Sequence, residues 1–176
     1  MDAMKKLLFI PLLILVCFLS DCKKSNDLSE EIDHSNPGKD KVGTNLNNAL
    51  MLQAVNTVRA AGCNCDGEKM PPVPALTWND QLALAAKLHT EDMVKNNFFD
   101  HVNKDGQSPG DRIKAAGYNF RFYAENLAII STDEKGVVAY WLSSKGHCKN
   151  IMNASAKEIG VARVNNSWTM KLAARL

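Results

Sequence analysis

Four histidines and one embedded acid are the residues of this sequence best suited to chemistry. The imidazoles belong to His34, His89, His101 and His147, and a neutral imidazole acts as a base or a metal ligand near neutral pH. Glu125 lies in the segment YAENL, whose flanking groups predict burial. A buried carboxylate must be paired, hydrogen-bonded or protonated. We therefore expect Glu125 to have a polar partner.

The surroundings of the four histidines differ. His101 and His147 follow predicted helices, in loops supported by rigid elements, and such positions favour function. His89 lies on the apolar face of a predicted helix, which favours a packed core imidazole, whereas His34 lies in a polar segment and is expected to be solvated. His101, Glu125 and His147 are 24 and 22 residues apart, which matches no local metal-binding motif. Spacing alone does not join them into one site.

Composition and motifs exclude several function classes. The 176 residues are 45% apolar and predict one globular domain. Lys and Arg number 21 and Asp and Glu 19, a net charge of +2, so no nucleic-acid partner is expected. The sequence has no Gly-rich phosphate loop, no nucleophile-elbow serine and no cysteine with a neighbouring base at motif spacing.

The N-terminus has the pattern of an export signal. Lys5 and Lys6 precede 13 mostly apolar residues, 7–19, a length typical of a signal peptide and short of the roughly 20 residues that span a bilayer. The segment LSDC ending at Cys22 resembles a bacterial lipoprotein cleavage box, although Asp21 stands where a small residue is usual. We expect residues 1–21 to be removed and Cys22 to carry a lipid anchor in the membrane. Ordinary secretion is the alternative.

Residues 22–45 are polar and predict a flexible tether, so the domain is expected to span residues 46–176. Capping residues and helical periodicity predict four helices. A loop is expected from Cys63 to Pro74 because that stretch contains three prolines. The helices begin at Asn45 or Asn47, at Asn79, at Ser108 and near Ser131, and end near Gly62, Asn96, Gly117 and Gly146, respectively.

Strands are predicted mostly late in the chain, at residues 127–130, 159–164 and 168–172, with a turn at Asn165-Asn166. Helices that precede strands favour an α+β fold, with helices packed around a small, mainly antiparallel sheet. Trp78, Trp141 and Trp168 are expected to be core residues.

Six segments in order resemble a bacterial CAP domain, of the superfamily of cysteine-rich secretory, antigen 5 and pathogenesis-related (SCP-like) proteins. The resemblance covers about residues 46–172 and implies a three-layer α–β–α sandwich. It also implies an exposed cleft that many relatives line with two His and two Glu and that binds a divalent cation. The segments are ALTWN at 75–79, FFDH at 98–101, RIKAAGY at 112–118, AENL at 124–127, GHCKNIM at 146–152 and IGV at 159–161.

By position, the resemblance assigns His101, Glu125 and His147 to this cleft, and Ser144 occupies the place of the second Glu. Two imidazoles and one carboxylate suit zinc or another divalent cation, with water in the open position. The lost carboxylate removes a negative charge and a potential base.

The resemblance implies no agreed reaction, so no catalytic residue is assigned. We expect a binding module at the cell envelope or outside the cell, for an unknown small-molecule, lipid or envelope ligand. A metal-dependent hydrolase acting on cell-envelope or extracellular substrates is the alternative.

Three thiols remain in the expected domain, Cys63, Cys65 and Cys148. A bridge within Cys-Asn-Cys would be strained, so either Cys63 or Cys65 is expected to pair with Cys148 and leave the other free. The alternative is a zinc site made by all three thiolates. The last strand is expected to be shortened or substituted, because residues 170–176 lack the aromatic ending of the relatives.

Overall fold

A four-stranded sheet between two helical layers forms the domain. The computed structural model describes residues 42–176 and confirms the α+β sandwich. The helices are α1 (Asn48–Ala61), α2 (Asp80–Lys95), α3 (Pro109–Ala115), α4 (Glu134–Leu142) and α5 (Lys145–Ile151). The strands are β1 (Cys63–Cys65), β2 (Glu68–Met70), β3 (Thr77–Trp78), β4 (Phe120–Ile129), β5 (Glu158–Val164) and β6 (Ser167–Arg175).

The main sheet has the order β3-β5-β6-β4, with β3 parallel to β5 and the other pairs antiparallel. Strand β6 separates two cores because its side chains alternate between the faces. Trp168, Met170 and Leu172 pack with α1, α4 and α5, whereas Ala173 packs with α2 and α3. At Gly160 of β5 a side chain would meet the backbone of α2 at 2.0 Å, so the missing Cβ permits close packing.

The cap signals begin the helices where the sequence predicts. Asn47, Asn79 and Asp133 cap α1, α2 and α4 through their side chains, and Ser108 forms a capping box with Asp111 at α3. Each side chain accepts a backbone N–H that the first helical turn leaves unpaired. Trp141 and Trp168 are fully buried, and Trp78 is half-buried.

Three predicted segments differ in the structure, and one of them is the strand expected at 127–130, which is the end of the longer β4. The expected loop at 63–74 contains a hairpin, β1–β2, which turns at Asp66 and Gly67, both with positive φ. The expected fourth helix is two helices, and Gly146 lies in the first turn of α5 rather than ending a helix. Glycine is typical of a helix end, but Gly146 lies inside a new helix that begins after Ser144. His147 is therefore a helical residue and not a loop residue.

The two ends of the expected domain also differ. Strand β6 runs to Arg175 and is not shortened, because backbone pairing with β4 continues to Phe120 without an aromatic ending. Thr44 is buried and its carbonyl accepts a hydrogen bond from Arg163 N, so ordered structure begins before residue 46.

The predicted signal peptide, Cys22, His34 and most of the tether lie outside the described residues. None of the helices within 42–176 is both long and apolar enough to cross a bilayer.

Candidate functional site

A buried ion cluster of Glu125, Arg112 and Lys171 lies at the centre of the site. The pleated pairing of β4 with β6 places Glu125 opposite Lys171, and the Lys171 ammonium donates to Glu125 Oε2. Arg112 Nη2, from α3, lies 3.2 Å from the same oxygen. The side chains of Glu125 and Lys171 are 2% and 0% exposed. The partner that the sequence predicts for Glu125 is therefore two cations and an imidazole.

Charge pairing determines the protonation state of this cluster. Burial alone would raise the pKa of the Glu125 carboxyl, but hydrogen bonds from His101 and Lys171 and the Lys171 charge lower the pKa to about 2. Burial lowers the pKa of Lys171 to about 8 although the Glu125 charge opposes this shift. Glu125 is therefore ionised at neutral pH and acts only as an acceptor.

The ionised Glu125 orients the ring of His101. Nδ1 of His101 lies 2.7 Å from Glu125 Oε1, and it must donate because the carboxylate has no proton. In the neutral ring Nε2 then carries the lone pair, and the side chain is 51% exposed. Arg112 also fixes the backbone here, since Nη2 donates to the His101 carbonyl at 2.7 Å. A carboxylate that receives one imidazole N–H and leaves the other nitrogen open is the usual support of a metal-binding histidine.

His147 reaches the site from α5, which two asparagines dock onto β4. Asn126 Nδ2 donates to the His147 carbonyl at 3.1 Å, and Asn150 Nδ2 donates to Asn126 Oδ1 at 2.8 Å. Nδ1 of His147 is buried and has no hydrogen-bond partner. Burial, with a further contribution from the His101 charge, lowers the pKa of His147. The ring is therefore neutral at neutral pH.

His101 and His147, here called the imidazole pair, line one cavity of about 250 Å³. Asp100 and Tyr140 also line it, and Phe99 and Leu127 complete the lining. Ser144, the residue at the place of the second Glu, is the N-cap of α5 and is not among these lining residues. The acid that faces the cavity is instead Asp100, adjacent to His101 in sequence.

The donor set permits a divalent cation only through the imidazoles. Both oxygens of Glu125 are already engaged by cationic or imidazole N–H groups, so this carboxylate supports His101 and is not available as a direct ligand. Within residues 42–176, the only group of three or more potential ligands whose donor atoms lie within 4.8 Å of one another is Cys63, Cys65 and Cys148. These three sulfur atoms lie close enough together to be candidate metal ligands if the bond between Cys65 and Cys148 is opened.

One cysteine pairing is confirmed. Cys65 and Cys148 form a disulfide, and Cys63 remains free. This bond ties hairpin β1–β2 to α5, at the residue that follows His147. Burial raises the pKa of the Cys63 thiol. Cys63 is thus a protonated thiol at neutral pH.

His89 is a fully buried core residue, as its helix face predicts. Its Nε2 lies 2.9 Å from the Asp100 carbonyl, and its Nδ1 has no partner. Burial lowers the pKa of His89 to about 4, against the raising effect of the Glu125 charge. This imidazole supports the loop that begins at Asp100 and does not line the cavity.

The sequence analysis does not identify six polar contributors, namely Asp100, Arg112, Asn126, Tyr140, Asn150 and Lys171. Lys171 had a usable signal, because a single Lys in the apolar segment WTMKLAA requires a buried partner. Arg112 is in a short helix whose periodicity does not distinguish a buried Arg from a solvated one. Asp100 and Tyr140 reach the cavity only through the tertiary arrangement of α2, α4 and α5.

Curated relatives are similar over most of the domain. YkwD, an uncharacterized protein of Bacillus subtilis, is 33% identical over 110 residues, which cover 61% of this chain and 42% of YkwD. YlbC, an uncharacterized membrane protein of the same organism, is 34% identical over 100 residues, covering 57% of this chain and 29% of YlbC. The matches thus span less than half the length of these relatives.

Solved structures show the same fold. An extracellular SCP-domain protein of Bacillus anthracis superposes with a TM-score of 0.65 at 27% identity, over 72% of this chain and 40% of that one. An outer surface protein of Borrelia burgdorferi superposes with a TM-score of 0.62 at 20% identity, over 73% and 92%. The family model of the cysteine-rich secretory protein family, CAP, matches residues 52–172. This chain therefore belongs to the CAP family.

Proposed function

We propose that this CAP protein is an exported binding module whose cleft holds a divalent cation, zinc being the best chemical fit, through the imidazole pair. The observation that carries the proposal is that His101 and His147 line one cavity. Glu125 leaves Nε2 of His101 available. His147 is kept neutral by burial, and neutral imidazoles are good zinc ligands. Water would complete the coordination.

Binding is favoured over hydrolysis by the state of Glu125. A metal-dependent hydrolase needs a base that takes a proton from water, and such a base works best with a pKa near the operating pH. The pKa of Glu125 is about 2, and its oxygens face Arg112 and Lys171. Glu125 is therefore a positioning group rather than a base.

Export is supported by three independent features. A structural neighbour at 27% identity is described as extracellular. The Cys65–Cys148 disulfide is a bond that persists mainly outside the reducing cytosol. The N-terminal sequence has the pattern of a signal segment followed by Cys22. We propose that lipidated Cys22 anchors the domain at a membrane surface.

Zinc titration calorimetry on the purified protein tests the cation site. Wild type is expected to bind one zinc through the cleft, and His101→Ala and His147→Ala are each expected to weaken that binding at least tenfold. His34→Ala is the matched control, since the proposal assigns no role in the site to His34, and its affinity should equal that of wild type. The protein is kept oxidised so that Cys65 and Cys148 are not thiolate ligands. Unchanged affinity in both cleft variants would remove the site.

Two further experiments test the class and the anchor. The wild-type protein should not turn over peptidoglycan, ester or peptide substrates. Turnover by wild type that is lost in Glu125→Gln would show that the protein is a hydrolase and not a binding module.

In a bacterial host, wild type should incorporate a labelled fatty acid and Cys22→Ser should not. Equal labelling of both proteins, or of neither, would reject the lipid anchor and leave secretion.

A further inference from the structure

Three sulfur atoms converge at the junction of hairpin β1–β2 with α5. Cys63 and Cys65 are two residues apart on β1, so their side chains project from the same side of the strand. Cys63 Sγ lies 3.8 Å from Cys65 Sγ and 3.5 Å from Cys148 Sγ. Cys65 and Cys148 are fully buried, and Cys63 is partly exposed. The cleft described above uses none of these thiols.

Contacts other than the disulfide hold the two elements together. Lys149 of α5 pairs with Glu68 of β2 at 2.8 Å. The buried guanidinium of Arg59 donates to the Pro74 carbonyl, after the hairpin, and to the Ile151 carbonyl, at the end of α5, at 2.8 Å and 2.6 Å. The hairpin turn is closed by Gly67 N donating to Asn64 Oδ1 at 2.7 Å. These contacts link the hairpin to α5 independently of the disulfide.

The spacing suits a thiolate metal site. Zinc–sulfur bonds of about 2.3 Å in a tetrahedron imply sulfur separations of about 3.8 Å. The two separations that involve Cys63 already have about this length, so only Cys65 and Cys148 would have to move apart. Soft thiolate ligands select zinc and similar thiophilic ions. The partly exposed Cys63 lies on the side from which an ion can enter.

We propose that Cys63, Cys65 and Cys148 form a zinc-type site in the reduced protein, and that the metal ion and the Cys65–Cys148 disulfide are alternative states of the same three residues. A dithiol supplies the two electrons that break the disulfide and itself becomes a cyclic disulfide. Cys65 and Cys148 become thiols, and all three thiols release their protons when the ion binds. Water fills the fourth position. The metal then replaces the disulfide as the link between the hairpin and α5.

Cobalt is the probe for this site, because thiolate ligands give charge-transfer bands in the near ultraviolet that imidazole ligands do not. The full protein is reduced with dithiothreitol, desalted without oxygen and titrated with Co²⁺. Reduced wild type should show these bands at one ion per chain, and oxidised wild type should lack them. Cys63→Ser, which keeps the disulfide in its oxidised form, should bind cobalt at least 100-fold more weakly when reduced. The double variant His101→Ala/His147→Ala loses the cleft ligands but should keep the same thiolate bands as reduced wild type, which separates this site from the cleft.

Circular dichroism covers the case in which reduction unfolds the chain. Cobalt or zinc should then restore the helical signal of reduced wild type but not that of reduced Cys63→Ser, since folding and metal binding would be coupled. The proposal is overturned if reduced wild type gives no thiolate bands. It is equally overturned if Cys63→Ser matches wild type in affinity or in metal-dependent refolding.

Discussion

The buried ion cluster and the imidazole pair are neighbours that differ in burial and in hydrogen bonding. In the cluster, the oxygens of Glu125 face Lys171, Arg112 and His101 at hydrogen-bond distance, and the cations are almost fully buried. In the imidazole pair, the His101 ring is half exposed, and Nδ1 of His147 is buried without a partner. The cluster engages both oxygens of Glu125, although Arg112 Nε is buried without a partner, whereas in the pair Nδ1 of His147 makes no hydrogen bond.

The contrast indicates which residues serve stability and which serve binding. A buried charge without partners is costly, so the cluster must be complete for the chain to fold. His101 and His147 instead line the cavity, where their rings can meet a ligand. The cluster therefore shapes and orients the cleft, and the imidazole pair faces the ligand. Variants of the two groups should separate stability from affinity.

Removing the buried Lys171 ammonium should have the largest effect on stability. Lys171→Met leaves Glu125 with fewer partners in a buried position, and losing one member of such a pair costs about 3–5 kcal/mol of unfolding free energy. The matched control is Lys149→Met, since Lys149 pairs with Glu68 where both side chains are 44% exposed, and that pair is worth about 0–1 kcal/mol. Urea unfolding followed by circular dichroism measures both. Equal losses would show that burial does not distinguish the two ion pairs.

The sequence predicts the features of this molecule that depend on short-range contacts better than those that depend on tertiary contacts. Helix starts follow from short-range rules, such as the side chain of Asn79 accepting two backbone N–H groups. The break between α4 and α5 does not follow from such rules. The side chain of Ser144 makes no capping hydrogen bond, and Gly146 has the residue type that is typical of a helix end. The family resemblance assigns His101 and His147 to the cleft. Spacing does not, since α5 reaches β4 through tertiary contacts such as the hydrogen bond from Asn150 to Asn126.

Acid should destabilise the protein through His89 in a defined window. The folded pKa of His89 is about 4 and the unfolded value is about 6.5, so between these values the unfolded chain binds the extra proton. Stability therefore falls as the pH drops from about 6.5 to about 4, by up to about 3 kcal/mol, and His89 contributes no further change below that. Thermal unfolding of wild type and His89→Gln across this range measures the effect, and the variant should have a flatter profile.

Glu125 provides a control for that window because its own window is lower. Its pKa is about 2 when folded, against about 4.3 when unfolded, so its contribution is present above pH 4.3 and is lost as the pH falls towards 2. Glu125→Gln should therefore leave the slope between pH 6.5 and 5 unchanged. Two outcomes would contradict the assignment of the acid sensitivity to His89. One is a flatter dependence of stability on pH in that range for Glu125→Gln, and the other is an unchanged dependence for His89→Gln.

The smallest expected change in stability, with a reversed sign, is at His147. Replacing the ring by leucine removes a buried nitrogen that has no partner, and leucine is a good helix former at this position of α5. We expect His147→Leu to keep or raise the unfolding free energy, by less than about 1 kcal/mol, while zinc binding in the cleft falls at least tenfold. Urea unfolding without zinc and zinc calorimetry measure the two effects. A ring retained for a ligand contributes stability only when the ligand is bound. If His147→Leu therefore lowers the unfolding free energy of zinc-free protein by more than about 2 kcal/mol, His147 has a structural role.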